Sequence, residues 1–206
     1  MSMLILQCNE RGIARAATIV RDGGVIAYPT DTVYGLGCDP YNDGAVERVF
    51  RIKGREEGKA MPLLCASIDD AMKIAYMDER ALILARHFWP GALTIVARLR
   101  DRRISSKIIK DGKVGVRVPR HEHALRLIRS CNGVLVGTSA NPSGMNPASD
   151  ARQVIAILKE LDAVLDCGAV SIGKVSTVYD VDEGRVIREG AIPREELERC
   201  LMIYYR

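Results

Sequence analysis

The stretch Val25-Ile-Ala-Tyr-Pro-Thr-Asp-Thr-Val-Tyr-Gly-Leu-Gly37 decides how the chain reads. Val25 to Tyr28 is a short apolar run behind Gly23-Gly24, the pattern of a buried strand. Pro29 has no N–H to give a ladder and ends it. Thr30, Asp31, Thr32 and Tyr34 then crowd a polar segment closed by Gly35 and Gly37. Hydroxyls just past the C-terminal end of a strand are where an open α/β sheet holds its ligand. The same residue types also form plain turns by bonding their own backbone, so the rest of the chain must decide.

Working outward, residues 11–22 read as a helix with Ile13, Ala16, Ala17 and Val20 on one face, stopped by Gly23-Gly24. Asn42-Asp43 caps a second helix that turns Val46, Val49 and Phe50 inward and runs into Lys53-Gly-Arg55. A strand over 61–66, a helix opened by Ser67 with Asp70, a helix over about 78–88 and a strand over 92–99 follow. Residues 98–120 hold nine Lys or Arg against Asp101 and Asp111, with the strand Val114-Gly-Val-Arg-Val118 inside them. A helix over about 122–131 and the strand Val134–Gly137 lead into a second hydroxyl-rich loop, Thr138-Ser-Ala-Asn141-Pro-Ser-Gly144. Ser149 is read as the cap of a helix reaching Leu161. Strands near 163–166, 175–181 and 185–188 precede a helix beginning at Pro193. Helices alternating with short strands, with no repeat or linker, indicate one mixed α/β domain over 1–206.

Composition narrows the function classes. The 206 residues are 48% hydrophobic and only 5% aromatic, so the core is built of Val, Ile, Leu and Ala. No apolar run has the length of a membrane span and no signal peptide is expected, which points to the cytoplasm. Cys8, Cys38, Cys65, Cys131, Cys167 and Cys200 are scattered without a Cys-x-x-Cys pair, arguing against a zinc ribbon and for buried thiols in a reducing compartment. Net charge is a mild +4.

If the two hydroxyl-rich loops are neighbours, they open at one sheet edge, and Lys53, Arg55, Lys59 and Arg117 can face the same space. Arg forks and Lys charges neutralise phosphate oxygens while Ser, Thr and Asn fix orientation, so the combination suits an anionic ligand. A solvated helix end explains Lys53, Arg55 and Lys59 equally well. Arg117, between β-branched residues, needs a partner or solvent. Gly168-Ala-Val-Ser-Ile-Gly173-Lys174 has phosphate-loop spacing, but Val175 replaces the metal-binding hydroxyl and a strand follows where a helix belongs. His121-Glu-His123, two apart on a helix, faces different ways and is not read as a metal site. No Ser-His-Asp or Cys-His arrangement emerges around His87, His121 or His123.

Pro29-Thr-Asp-Thr-Val-Tyr-Gly-Leu-Gly37, Lys53-Gly-Arg55, Val116-Arg117-Val-Pro119, Ser139-Ala-Asn141-Pro-Ser-Gly144, Ser176-Thr-Val and Val186-Ile-Arg188-Glu-Gly190, in that order, resemble the YrdC-type threonylcarbamoyl-adenylate synthases. The resemblance runs from about Gly23 to Gly190. It implies a twisted mixed β-sheet flanked by helices, with a large basic cavity. It implies an enzyme that joins L-threonine, bicarbonate and ATP into threonylcarbamoyl-adenylate and pyrophosphate. That product supplies the modification of the adenosine beside the anticodon of tRNA, through separate transferase proteins. On this resemblance Lys53, Arg55, Lys59, Lys113, Ser139, Asn141 and Arg188 take ATP, with Lys53, Arg55, Ser139 and Asn141 as the catalytic signature. Thr30, Thr32, Tyr34, Arg117 and Ser176 take threonine, with Arg117 pairing to its carboxylate. ATP is a substrate and Mg2+ is expected with it, without a protein ligand assigned.

Glu56 stands where family members often have Pro, with Glu57 beside it, and Ala60 replaces another common Pro. Some members carry a second, C-terminal domain over the active site; the single-domain form is expected here. A sister branch, the YciO-like proteins, shares the fold. Its reading for this chain is a protein that binds double-stranded RNA or tRNA through the basic segment without robust synthase activity. The scarcity of aromatic residues argues against single-strand stacking. A sugar-phosphate lyase would need an acid–base pair, for which only Asp31, Glu56 and Glu57 offer themselves.

Overall fold

The computed structural model describes residues 3–56, 58–170 and 174–204. Its strands are β1 (Leu4–Gln7), β2 (Ile26–Tyr28), β3 (Gly35–Gly37), β4 (Leu63–Cys65), β5 (Leu93–Arg98) and β6 (Lys113–Arg117) in the first part of the chain. β7 (Val134–Val136), β8 (Thr138–Ser139), β9 (Ala163–Asp166), β10 (Thr177–Asp180) and β11 (Arg185–Arg188) follow. The helices are α1 (Glu10–Arg21), α2 (Asp43–Lys53), α3 (Ile68–Ile74), α4 (Glu79–Phe88), α5 (Glu122–Ser130), α6 (Ala151–Ile157) and α7 (Arg194–Tyr204). The mixed α/β architecture expected from the sequence is present, with the strands shared between two mixed sheets. One has the order β1-β9-β2-β3-β8 and the other β11-β10-β5-β6-β4-β7. They meet where β7 passes into β8 across Gly137, whose N–H reaches the Pro62 carbonyl at 2.9 Å.

Caps account for the helix starts. The side chains of Asn9, Asn42, Ser67 and Asp78 accept N–H bonds from the first turns of α1, α2, α3 and α4. His121 does the same for α5 through Nδ1, so this histidine caps a helix. Burial pushes its pKa down, with His123 adding to the push. The cap of α6 is Asp150, not Ser149, and the helix ends at Ile157 rather than Leu161. Leu158 and Leu161 are apolar because they fill the core from an irregular segment. Pro193 precedes α7, its carbonyl accepting from Glu196 at 3.2 Å.

Two segments read as loops are strands. Gly35–Gly37 folds back antiparallel to β2, pairing Tyr28 with Gly35 and Ile26 with Gly37. Glycine is needed there for space: a Cβ on Gly35 would sit 3.2 Å from the Tyr28 ring, and one on Gly37 would strike the Val136 carbonyl. Thr138–Ser139 pairs with Gly35–Leu36, so the two hydroxyl-rich segments are hydrogen-bonded neighbours. β1 also escapes sequence reading, because its Leu4 and Ile5 are exposed and show no inward alternation.

The expectation of six reduced thiols needs correction. Cys8, just after β1, and Cys167, just after β9, are bridged, while Cys38, Cys65, Cys131 and Cys200 are free and buried. β1 and β9 pair in parallel, which brings these distant cysteines side by side. Thiol titration of the denatured, unreduced chain should therefore find four thiols. Reduction should lower stability by about 2–4 kcal/mol, as judged from the urea midpoint. Six titratable thiols before reduction would refute the bridge.

Candidate active site

The cavity-facing side of the larger sheet follows strand alternation. Thr94 and Val96 of β5, Lys113, Gly115 and Arg117 of β6, Leu64 of β4, and Val178 and Asp180 of β10 all point into one chamber of about 510 Å³. Leu93, Ile95, Ala97, Val114 and Val116 alternate with them and enter the hydrophobic core. The opposite wall is Thr30, Thr32, Tyr34, Gly35, Thr138 and Ser139, and β11 contributes Arg185, Ile187 and Arg188. Six cations line the space, Arg55, Lys110, Lys113, Arg117, Arg185 and Arg188, against three acids, Asp111, Asp180 and Glu183.

Part of the lining is a dense polar cluster. Arg117 is only 5% exposed, and donates from Nε to the Gly91 carbonyl at 2.8 Å, from Nη1 to Thr32 Oγ1 at 3.0 Å, and from Nη2 to Asp31 at 2.5 Å. Burial pushes the guanidinium pKa down while Asp31 opposes the shift. The partner that the sequence demanded for Arg117 is thus Asp31, which is spent on this pair. Tyr34 lends its ring to the wall, but its hydroxyl donates to the Gly168 carbonyl at 2.8 Å and accepts from Cys167 N–H at 3.2 Å. Burial pushes that phenol up to about 12.

At Arg55 and Arg188 the positive charge is uncompensated. Burial lowers both pKa values, and the Arg55 charge further lowers that of Arg188. Arg188 donates to the Ser176 carbonyl and Arg55 to the Ala60 carbonyl, while Arg55 Nε is buried without a partner. Among the described residues no carboxylate pairs with either. Crowded, partly desolvated cations with unused donors are stabilised by an arriving anion. Lys113 is different: Asp180 at 2.8 Å, Glu183 at 3.5 Å and Asp182 at 3.7 Å surround its ammonium and raise its pKa, Asp180 first.

Lys53, Lys59 and Asn141 do not line the chamber. Lys53 is 2% exposed and its Nζ donates to the carbonyls of Ser139 and Asn141. Burial pushes its pKa down to about 8, with Arg55 contributing. Asn141 bonds the Pro142 and Met145 carbonyls through Nδ2, leaving Oδ1 buried and unpartnered. Lys59 is exposed and paired with Glu56 at 2.9 Å, so this acid turns to its own loop. Glu57 and residues Ser171 to Gly173 of the phosphate-loop-like stretch lie outside the described residues. Thr94, Lys110, Asp180 and Arg185 are chamber residues that the sequence did not single out; only the polar position of Thr94 in an apolar strand marked it.

Against this geometry, the Sua5/YciO/YrdC family model, described as "Telomere recombination", matches residues 18–190. The chain belongs to this family. It is 36% identical over 208 residues to a threonylcarbamoyl-AMP synthase of Pyrococcus abyssi, covering 96% of this chain and 61% of that one. The chain therefore spans about three fifths of that relative's length. The structure of Pyrococcus abyssi Sua5 complexed with L-threonine superposes with a TM-score of 0.91 at 33% identity, over 98% of this chain and 61% of that one. Escherichia coli YciO superposes with a TM-score of 0.85 at 27% identity, over 95% of this chain and 98% of that one.

Among the described residues no group of three or more His, Cys, Asp or Glu is gathered to hold a metal. No helix among them is long and apolar enough to cross a membrane.

Proposed function

We propose that the chain carries the activity of a cytoplasmic threonylcarbamoyl-AMP synthase. The observation that carries the reading is one chamber whose lining holds both the polar Arg117–Thr32 contact and two cations, Arg55 and Arg188, that no carboxylate among the described residues pairs. An amino acid fits the first and a polyphosphate the second. The family membership and the names of its relatives supply the reaction. The threonine amine forms a carbamate with carbon dioxide, releasing a proton, or with bicarbonate, releasing water. A carbamate oxygen then bonds to the α-phosphorus of ATP as the bond to the pyrophosphate oxygen breaks. Such a displacement needs positioning and charge stabilisation rather than a side-chain nucleophile, in keeping with a chamber that has none evident.

In this reading Arg55 and Arg188 hold the triphosphate, Ser139 borders it, and Lys53 and Asn141 shape the loop that presents Ser139. Thr30, Thr32, Tyr34, Arg117 and Ser176 form the threonine side. Lys113 brings its own acids and so serves the nucleotide as a directed donor rather than as net charge. Lys59 lies outside the chamber and reaches the phosphates only if its loop moves. Magnesium enters with ATP as part of the substrate. The product passes to transferase proteins that modify tRNA.

The decisive measurement is pyrophosphate release from ATP with and without L-threonine and bicarbonate, with L-serine as control. Release that needs both threonine and bicarbonate is expected; threonine-independent release, or none, sinks the proposal. The competing reading, an RNA-binding YciO-like protein, draws on the likeness to YciO and on the basic segment. Against it, Arg98, Arg103, Lys107, Lys113 and Arg117 in that segment each have a carboxylate within 4.0 Å. Five of its nine cations thus already have a carboxylate beside them, which reduces the charge left to release counterions from nucleic acid.

A further inference from the structure

The hydroxyls of the chamber differ in what they have left to offer. Thr30 Oγ1 donates its one proton to the Val33 carbonyl at 2.7 Å. In the Thr30–Thr32 contact of 2.9 Å the donor must therefore be Thr32. Thr32 in turn accepts from Arg117, so protons run one way, from Arg117 to Thr32 to Thr30 to the Val33 carbonyl. Thr30 also accepts weaker bonds from the Thr32 and Val33 N–H groups, which exhausts its lone pairs. Thr32 keeps one free lone pair and no free proton. A carboxylate gains nothing from an acceptor, so this pair meets only the donating part of a ligand.

A second hydroxyl pair behaves otherwise. Thr94 Oγ1 and Ser176 Oγ lie 2.8 Å apart, and either can donate. Together they own two protons and use one between themselves, leaving one O–H for a ligand. Both side chains are buried, Thr94 at 2% and Ser176 at 7% exposure, and both line the chamber. Extending the β5–β6 register by one step from Ile95 opposite Val116 sets Thr94 opposite Arg117, on the same face. Arg117 itself makes one bond from each nitrogen and its charge is met by Asp31, so it offers a ligand at most the second proton of each Nη, and the spare O–H of the Thr94–Ser176 pair lies next to it.

We infer that Thr94, paired with Ser176, supplies the O–H that binds the carboxylate of the amino-acid substrate, while Thr32 accepts from the substrate's donating groups. This rests on the synthase reading and makes Thr94 a substrate-binding residue of it. The paired arrangement has a distinctive consequence. Removing either hydroxyl alone frees the proton of the other, which still reaches the ligand. Removing both leaves the carboxylate without that donor.

The test is a double-mutant cycle on the full chain, reading KM for L-threonine and KM for ATP from pyrophosphate release. Thr94→Val and Ser176→Ala should each raise the threonine KM about two- to threefold, and the double variant about thirtyfold or more. The ATP KM of the double variant should stay within about twofold of the parent, which also shows that it folds. Thr94→Ala/Ser176→Ala repeats the test if valine mispacks beside Gly115. A merely structural role predicts additive effects, with the double variant no worse than the product of the singles, and that result overturns the inference. An equal rise in the ATP KM also overturns it. If the parent chain shows no threonine- and bicarbonate-dependent release, the function itself is wrong and the inference falls with it. Normal parent turnover with an additive cycle removes the inference alone.

Discussion

Asp31→Ala should destabilise the folded chain by about 3–5 kcal/mol, the cost of leaving a buried charge without its partner. Asp31 and Arg117 are 7% and 5% exposed, so neither is rescued by solvent. Arginine cannot shed its proton as a lysine does, and its remaining partners, the Gly91 carbonyl and the Thr32 hydroxyl, are neutral. Asp31→Asn keeps an acceptor of the same shape and should cost less than the alanine change. The loss should be largely recovered in Asp31→Ala/Arg117→Met, which removes both charges, because a buried pair roughly balances its desolvation. Urea unfolding of the four proteins measures this. A drop below about 1 kcal/mol for Asp31→Ala, or a double variant less stable than the single, would show that the pair is not the closed unit seen here. Turnover gives a second readout. With Asp31 gone Arg117 is free to swing off Thr32, and the threonine KM should rise before the ATP KM does.

That pair shows what a sequence conveys and what it withholds. The buried strand at Val25–Tyr28, the helix faces and the placing of two hydroxyl-rich segments all rest on local periodicity and turn chemistry, and these survive in the fold. The partners of buried charges do not, because they are set by tertiary closure. Arg117 announces that it needs a partner, but Asp31 lies 86 positions away in the chain. Lys113 and Asp180 are 67 apart, and Cys8 and Cys167 are 159 apart. β3 and β8 were hidden for another reason. Gly-Leu-Gly carries glycines because neighbouring groups leave no room for a Cβ, and Thr-Ser is only two residues long, too short to show alternation, so both read as loop. Within Lys53-Gly-Arg55 the motif is legible and its division of labour is not. Gly54 caps α2 in the left-handed region, φ 55°, and reverses the chain between two cations that sequence would treat as a pair. Arg55 then faces the chamber and Lys53 faces backbone.

Lys53→Met should lower turnover at least about tenfold while costing only about 1–3 kcal/mol of stability. The ammonium holds the carbonyls of Ser139 and Asn141, and without it the loop carrying Ser139 loses its clamp. The stability cost is held down because the variant no longer desolvates a charge. The pH dependence separates this role from direct phosphate binding. In the fold Lys53 titrates near about 8, below its ordinary 10.5, because burial disfavours the charge. Between those two values the unfolded chain keeps the proton that the native chain has released. Through this group stability must therefore rise with pH across that window, and below about 8 the full cost of the buried charge remains. Over the same interval a neutral amine makes weaker bonds to the two carbonyls, so turnover should fall. Parent stability measured relative to Lys53→Met should thus climb from about pH 8 while parent activity declines. A lysine acting on the triphosphate would be held charged by bound ATP, and the activity limb at saturating ATP would move well above pH 8. Opposite movements of stability and activity about one titration place Lys53 on the backbone, and a shared decline would remove it from there.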